Sequence, residues 1–217
     1  MKKLFVTSAA ALVAAFAVAA AAQAHVTLHP NALPAGGFTV INVRVPNERP
    51  KAATTKVDVK FPSGFLFLSW QPVHEGWKAK VVYRKLAKPV TVFGEKFTQE
   101  VDRVIWTGGR IQPGQFVEFP LSVAMPSAKP GTVLTFKALQ TYSNGEVVRW
   151  IGDPSADEPA PQVLLTNANS AVQDFPAGIS AAQKARSGGH TTLYGVVFGF
   201  PALALAGLGI ARRRRMS

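Results

Sequence analysis

Thr55-Lys56-Val57-Asp58-Val59-Lys60-Phe61 alternates polar and apolar residues without a break. Side chains of an extended strand point to opposite faces in turn, so Val57, Val59 and Phe61 line one face. The same period recurs outward from this stretch in both directions. Residues 116–124 set Val117, Phe119, Leu121 and Val123 on one face and Glu118 on the other. Further β runs lie at 26–28, 38–45, 78–83, 102–107, 133–141, 146–151 and 163–165. Pro46-Asn47, Pro62-Ser63-Gly64, Gly108-Gly109, Pro113-Gly114 and Pro130-Gly131 fall between them. Asn144-Gly145, flanked by β runs, is the strongest short-range hairpin signal in the chain. Short strands with regular turns, no helical stretch and no internal repeat predict an all-β chain, a single β-sandwich over residues 25–166.

The two ends read differently. Met1-Lys2-Lys3, an apolar run to Ala22 and the small-x-small site Ala22-Gln23-Ala24 predict a signal peptide over 1–24. Residues 191–211 carry no charge and precede four arginines, Arg212 to Arg215. Those 21 residues as a helix span roughly 31 Å, the thickness of a hydrocarbon core. The arginines hold the tail, 212–217, in the cytoplasm, so the sandwich is expected outside the cytoplasmic membrane. Residues 167–190 are rich in Ala, Ser, Asn, Gln and Gly and are expected to form a flexible linker.

This topology accounts for much of the +12 net charge. Between residues 25 and 166 there are 16 basic and 11 acidic residues, a net charge of +5. That is not the footprint of a nucleic-acid binder. The chain has no cysteine, which excludes a thiolate nucleophile, a soft thiolate metal site and disulfide support.

Histidine is scarce: His25, His29, His74 and His190. No HExxH, CxxC, GxSxG or phosphate-binding glycine loop is present. Cleavage after Ala24 would make His25 the mature N-terminus. Its α-amine and imidazole can then close on one metal as a chelate ring. An α-amine has a reference pKa near 8, so a metal can displace its proton at neutral pH. A planar nitrogen pair suits Cu(II). A histidine can also follow a cleavage site by accident. In an extended chain His29 lies about 13 Å from His25, on the same face but out of reach. His74 sits in a polar loop and His190 at the membrane boundary. Met125 is the one methionine inside the domain, which excludes a methionine-rich Cu(I) site.

Several segments together resemble a known family: His25-Val26-Thr27, Val45-Pro46-Asn47-Glu48-Arg49, Ala53-Thr54-Thr55-Lys56-Val57, Gly76-Trp77, Trp106-Thr107-Gly108-Gly109, Pro113 to Phe119, and Gln140 to Trp150. In this order they are similar to the YcnI-like family of bacterial exported copper-binding domains, over residues 25 to about 165. The resemblance implies a cupredoxin- or immunoglobulin-like sandwich. It implies Cu(II) held by the amine and imidazole of the N-terminal histidine, here His25. It also implies a tryptophan near the metal, here Trp150, and a C-terminal membrane helix.

Two neutral nitrogens on a dication favour an anionic oxygen in a further position. Glu118 is the candidate carboxylate and Glu146 a weaker one; an ordinary solvated glutamate remains an equal reading of Glu118. Trp70, Trp77 and Trp106 are expected to pack in the core or at its rim. The function that follows is a non-enzymatic copper-binding protein, a metallochaperone or homeostasis factor of the envelope. By analogy its partners are copper importers or CopC-like carriers. Two other readings stay open: a copper-dependent oxidative enzyme, for which a second histidine is missing, and a metal-free adhesion or scaffold module.

Overall fold

The computed structural model describes residues 25–72, 76–175 and 179. The expected signal peptide, transmembrane helix and basic tail, together with His74 and His190, lie outside the described residues.

Among the described residues twelve strands follow one another: β1 (Thr27–His29), β2 (Ala32–Pro34), β3 (Phe38–Pro46), β4 (Thr54–Lys60), β5 (Leu68–Trp70), β6 (Lys78–Val92), β7 (Glu95–Ile111), β8 (Phe116–Ala124), β9 (Val133–Thr135), β10 (Lys137–Tyr142), β11 (Val147–Trp150) and β12 (Gln162–Thr166). They form a four-stranded sheet in the order β1-β3-β8-β5 and a five-stranded sheet in the order β11-β10-β4-β7-β6. A three-stranded sheet, β2-β12-β9, completes the domain.

The alternating strands explain the layers. Ile41, Val43 and Val45 of β3 and Phe119, Leu121 and Val123 of β8 have no exposed surface. Opposite them lie Val57 and Val59 of β4 and Val104 and Trp106 of β7, all within 1% of full burial. Phe61, Phe65 and Phe136 fill one end of the core edge-to-face, with ring centroids 5.0–5.6 Å apart. Such aromatic clusters bury large areas and prefer this tilted geometry. Trp106 stacks on Phe119 and Trp77 meets the same ring edge-on, while Trp70 is 45% exposed at the rim.

The strands depart from the sequence expectation in four places. β2 and β5 are three-residue strands in stretches without alternation, and tertiary pairing alone makes them strands. β6 and β7 run to 15 and 17 residues, because they continue as a two-stranded ribbon past the sandwich. The run at 133–141 divides at Phe136 into β9 and β10, which belong to different sheets. Residues 173–175, in the stretch expected to be linker, bind back to the domain. Gln173 exchanges backbone hydrogen bonds with Ala32, and Asn31 caps Phe175 through both its amide atoms.

β1 ends one sheet and β11 ends the other, and these two edges meet on one side of the sandwich. On the opposite side β5 and β6 flank a cleft lined by Trp70, Trp77 and Trp106.

Candidate metal centre

The start of β1 inherits its orientation from alternation. Val26 and Leu28 are buried, so Thr27 and His29 point to the outer face, and His25, just before the strand, sits half-buried at its head. Thr27 pairs with Arg44 and His29 with Asn42, and the same register carries His25 level with Pro46. There the half-buried imidazole of His25 meets Trp150, with ring centroids 5.5 Å apart and planes tilted by 59°.

Trp150 is held from behind. It closes β11 at 5% exposure, and its Nε1 donates to Oε1 of Gln140 at 3.0 Å. Gln140 is fully buried on β10 and its Nε2 donates to Pro46 O and Thr54 Oγ1, both at 2.8 Å. A buried amide is costly unless paired, and this one is paired at both ends. The chain of bonds ties the indole to the strand beside which His25 lies.

The two candidate carboxylates, Glu118 and Glu146, are each engaged by an arginine. Glu118 stands opposite Arg44 in the β3–β8 register, and Arg44 Nη2 and Nε donate to its Oε1 at 2.7 and 2.9 Å. Arg49 grips Glu146 with Nη2 at 2.6 Å and lies over the Tyr142 ring at 5.4 Å. The hydrogen bonds from Arg49 hold the Glu146 carboxyl below its ordinary range. Burial pushes the Tyr142 hydroxyl up, against the nearby Arg49 charge.

His29 is engaged on both nitrogens. Its Nε2 lies 2.8 Å from Thr27 Oγ1 and its Nδ1 lies 2.6 Å from Asp174 Oδ2. Among the described residues no three His, Cys, Asp or Glu side chains gather into a group able to hold a metal. The structure therefore brings His25 and Trp150 together, and places Glu118 and Glu146 in arginine pairs. A metal at this edge would draw its nitrogen donors from His25, with any oxygen donor competing against an arginine.

Sequence reasoning passed over Gln140 and Asp174. Gln140 had a signal: it is the polar residue between Ala138 and Tyr142 on the buried face of β10. Asp174 had none, because its role depends on a segment 145 positions away from His29 in sequence.

Comparison with known proteins bears on this geometry. A family model described as a domain of unknown function, DUF1775, matches residues 25–165. The chain is 27% identical over 219 residues to the copper-binding protein CutI of Bacillus subtilis strain 168, with 99% of each chain covered. It is also similar to a solved structure of an uncharacterized protein from Nocardia farcinica with an immunoglobulin-like fold. That match has 34% identity and a TM-score of 0.52, and covers 66% of this chain and 99% of the other. Of the two sandwich types implied by the sequence, the fold is the immunoglobulin-like one.

Proposed function

Because the chain belongs to the DUF1775, or YcnI-like, family, we propose that it is an exported copper-binding protein that takes Cu(II) through the amine and imidazole of a mature N-terminal His25. The observation that carries this reading is the seat of His25 against Trp150, an indole locked by Gln140 at the meeting of two sheet edges. The name of the Bacillus subtilis relative supports copper as the metal.

Cleavage after Ala24 would put a free amine at the head of β1, next to its own imidazole. Amine and imidazole form a chelate that needs no second residue. Trp150 walls one side of it and limits water access. An edge site with two protein nitrogens and solvent on the other side suits exchange over storage, hence a metallochaperone or homeostasis role. Its partners would be a copper importer or a CopC-like carrier. The domain would work outside the cytoplasmic membrane, tethered by the part of the expected linker beyond Ile179, which still packs on Ala32 and Leu164, and by the 191–211 helix, with 212–217 in the cytoplasm. A two-histidine oxidative site is disfavoured, since both ring nitrogens of His29 are engaged by Thr27 and Asp174.

The test is a Cu(II) titration of protein beginning at His25, read by electron paramagnetic resonance and tryptophan emission. Two-nitrogen coupling and quenching are expected. One added N-terminal residue converts the amine to an amide and should abolish the signal. Trp150→Phe should remove most of the quenching. An extended protein that binds copper as well as the mature one would refute the chelate.

A further inference from the structure

The ribbon formed by β6 and β7 outruns the sandwich. β4 pairs with β7 only as far as Arg103, and Phe61 and Phe65 still hydrogen-bond the backbone of Asp102 and Val101. From Glu100 outward the strand partner of β7 is β6 alone, to Val92 and Glu95. The two residues that close it, Phe93 and Gly94, have φ of 51° and 81°. A two-residue turn with both φ positive favours Asn-Gly or Asp-Gly. A bulky phenylalanine in the left-handed region is strained. Here that phenylalanine is also 72% exposed.

It belongs to a surface cluster. Phe93 lies 5.9 Å from Phe38 and 6.0 Å from Phe67, and Phe67 packs on Phe97 at 4.7 Å. Phe38 is 61% exposed and Val40, two residues on, is 50% exposed. Around these rings the ribbon is basic. Residues 78–99 hold six lysines and arginines against one acid, Glu95. Arg84 is committed to Glu100 and Asp102, which leaves Lys85, Lys88 and Lys96 as the basic residues nearest the tip, beside the single acid Glu95.

We propose that this tip docks on an anionic lipid surface. Phe93 and Phe38 enter the boundary between headgroups and acyl chains, and Lys85, Lys88 and Lys96 meet the anionic headgroups. Exposed contiguous aromatics mark an interaction surface. Lysine is depleted at protein interfaces, whereas at a membrane its stem lies along apolar surface and its ammonium stays among the headgroups. Basic segments beside apolar anchors are attracted to anionic leaflets over a Debye length. The polarity of the domain then has a consequence. Phe38 begins β3 and Pro46, level with His25, ends it, about 26 Å away at ~3.3 Å per step. Docking by the tip holds the His25 edge away from the lipid and open to a partner.

The test uses residues 25–190, which contain the twelve described strands and Ile179, packed on Ala32 and Leu164. The Nocardia farcinica protein, 99% covered by 66% of this chain, is a solved domain of about this extent. The domain is sedimented with phosphatidylglycerol–phosphatidylcholine vesicles and with phosphatidylcholine alone, without copper. Retention on the anionic vesicles, lost in high salt and absent on the neutral ones, is expected. Phe93→Asn installs the favoured Asn-Gly turn, so the variant should fold at least as well, yet its partitioning should fall about tenfold. Lys85→Glu with Lys88→Glu should abolish retention. Wild-type domain left in the supernatant, or undiminished binding by Phe93→Asn, overturns the proposal. Neither result touches the copper titration, which uses no lipid.

Discussion

Gln140 has no exposed surface and makes three hydrogen bonds, to Trp150, Pro46 and Thr54. Replacing it by leucine keeps the bulk and strands those partners. Buried groups left without hydrogen bonds cost about 1–3 kcal/mol each, partly relieved by water and relaxation. Gln140→Leu should therefore lower stability by about 2–4 kcal/mol, read from the urea midpoint. An unchanged midpoint would show that the indole is held by packing alone. The neighbouring Asn47 plays the same part toward Ala52 and Ile111. His25 was legible as a candidate from its place after a cleavage site, and Trp150 from the family motif. The resemblance also set Trp150 near a metal on His25, and the ring contact agrees with it. Alternation and spacing could not supply it, because 125 residues separate the two and only the closing of the sandwich joins the two edges.

At the scale of elements, β7 shows how a strand is shaped by what packs on it. Between Thr54↔Ile111 and Lys56↔Thr107 the β4–β7 register shifts, and Gly108 and Gly109 occupy the irregular stretch. Gly108 has φ of 94°. A Cβ on Gly109 would lie 2.3 Å from Nε1 of Trp77, so the indole packs where a side chain would stand. Gly109→Ala must displace Trp77 from its contact with Phe119, an overpacking cost of about 1–3 kcal/mol. The check is the urea midpoint together with the near-ultraviolet tryptophan signal; retention of both would contradict this packing account. The Trp106-Thr107-Gly108-Gly109 motif announced a turn in the sequence. It proved to be a strand irregularity, since glycine serves close approach as readily as chain reversal.

For the whole molecule, the ionic network at the base of the β6–β7 ribbon governs acid stability. Burial pushes the Asp102 carboxyl up, but hydrogen bonds from Arg103 and Arg84, with the Lys60 charge, outweigh it and leave it below its ordinary range. The folded pKa is thus lower than the unfolded one. The associated stability is present above the unfolded value, near 3.9, and is lost as pH falls through the folded value. Glu146, lowered by Arg49, has the same sign. The melting temperature should fall as pH drops below about 4, and more gently in Asp102→Asn. Equal slopes for the two proteins would exclude Asp102 as a source. Glu100, buried and bonded to Arg84 and to Gly64 N, ties the ribbon to the 61–65 loop. The aromatic tip and the His25 edge are therefore parts of one framework, at opposite ends of β3.

The sequence by itself determined the all-β class, most strand positions and the Asn144-Gly145 hairpin, because alternation and turn chemistry are local and report which face of a strand is buried. Only the tertiary structure decided which edges meet, which carboxylates are already paired with arginine, and how far the basic ribbon projects. Those depend on pairing between residues tens of positions apart: Arg44 with Glu118, Gln140 with Pro46, His29 with Asp174. No local period encodes them, since each follows from how the sheets stack.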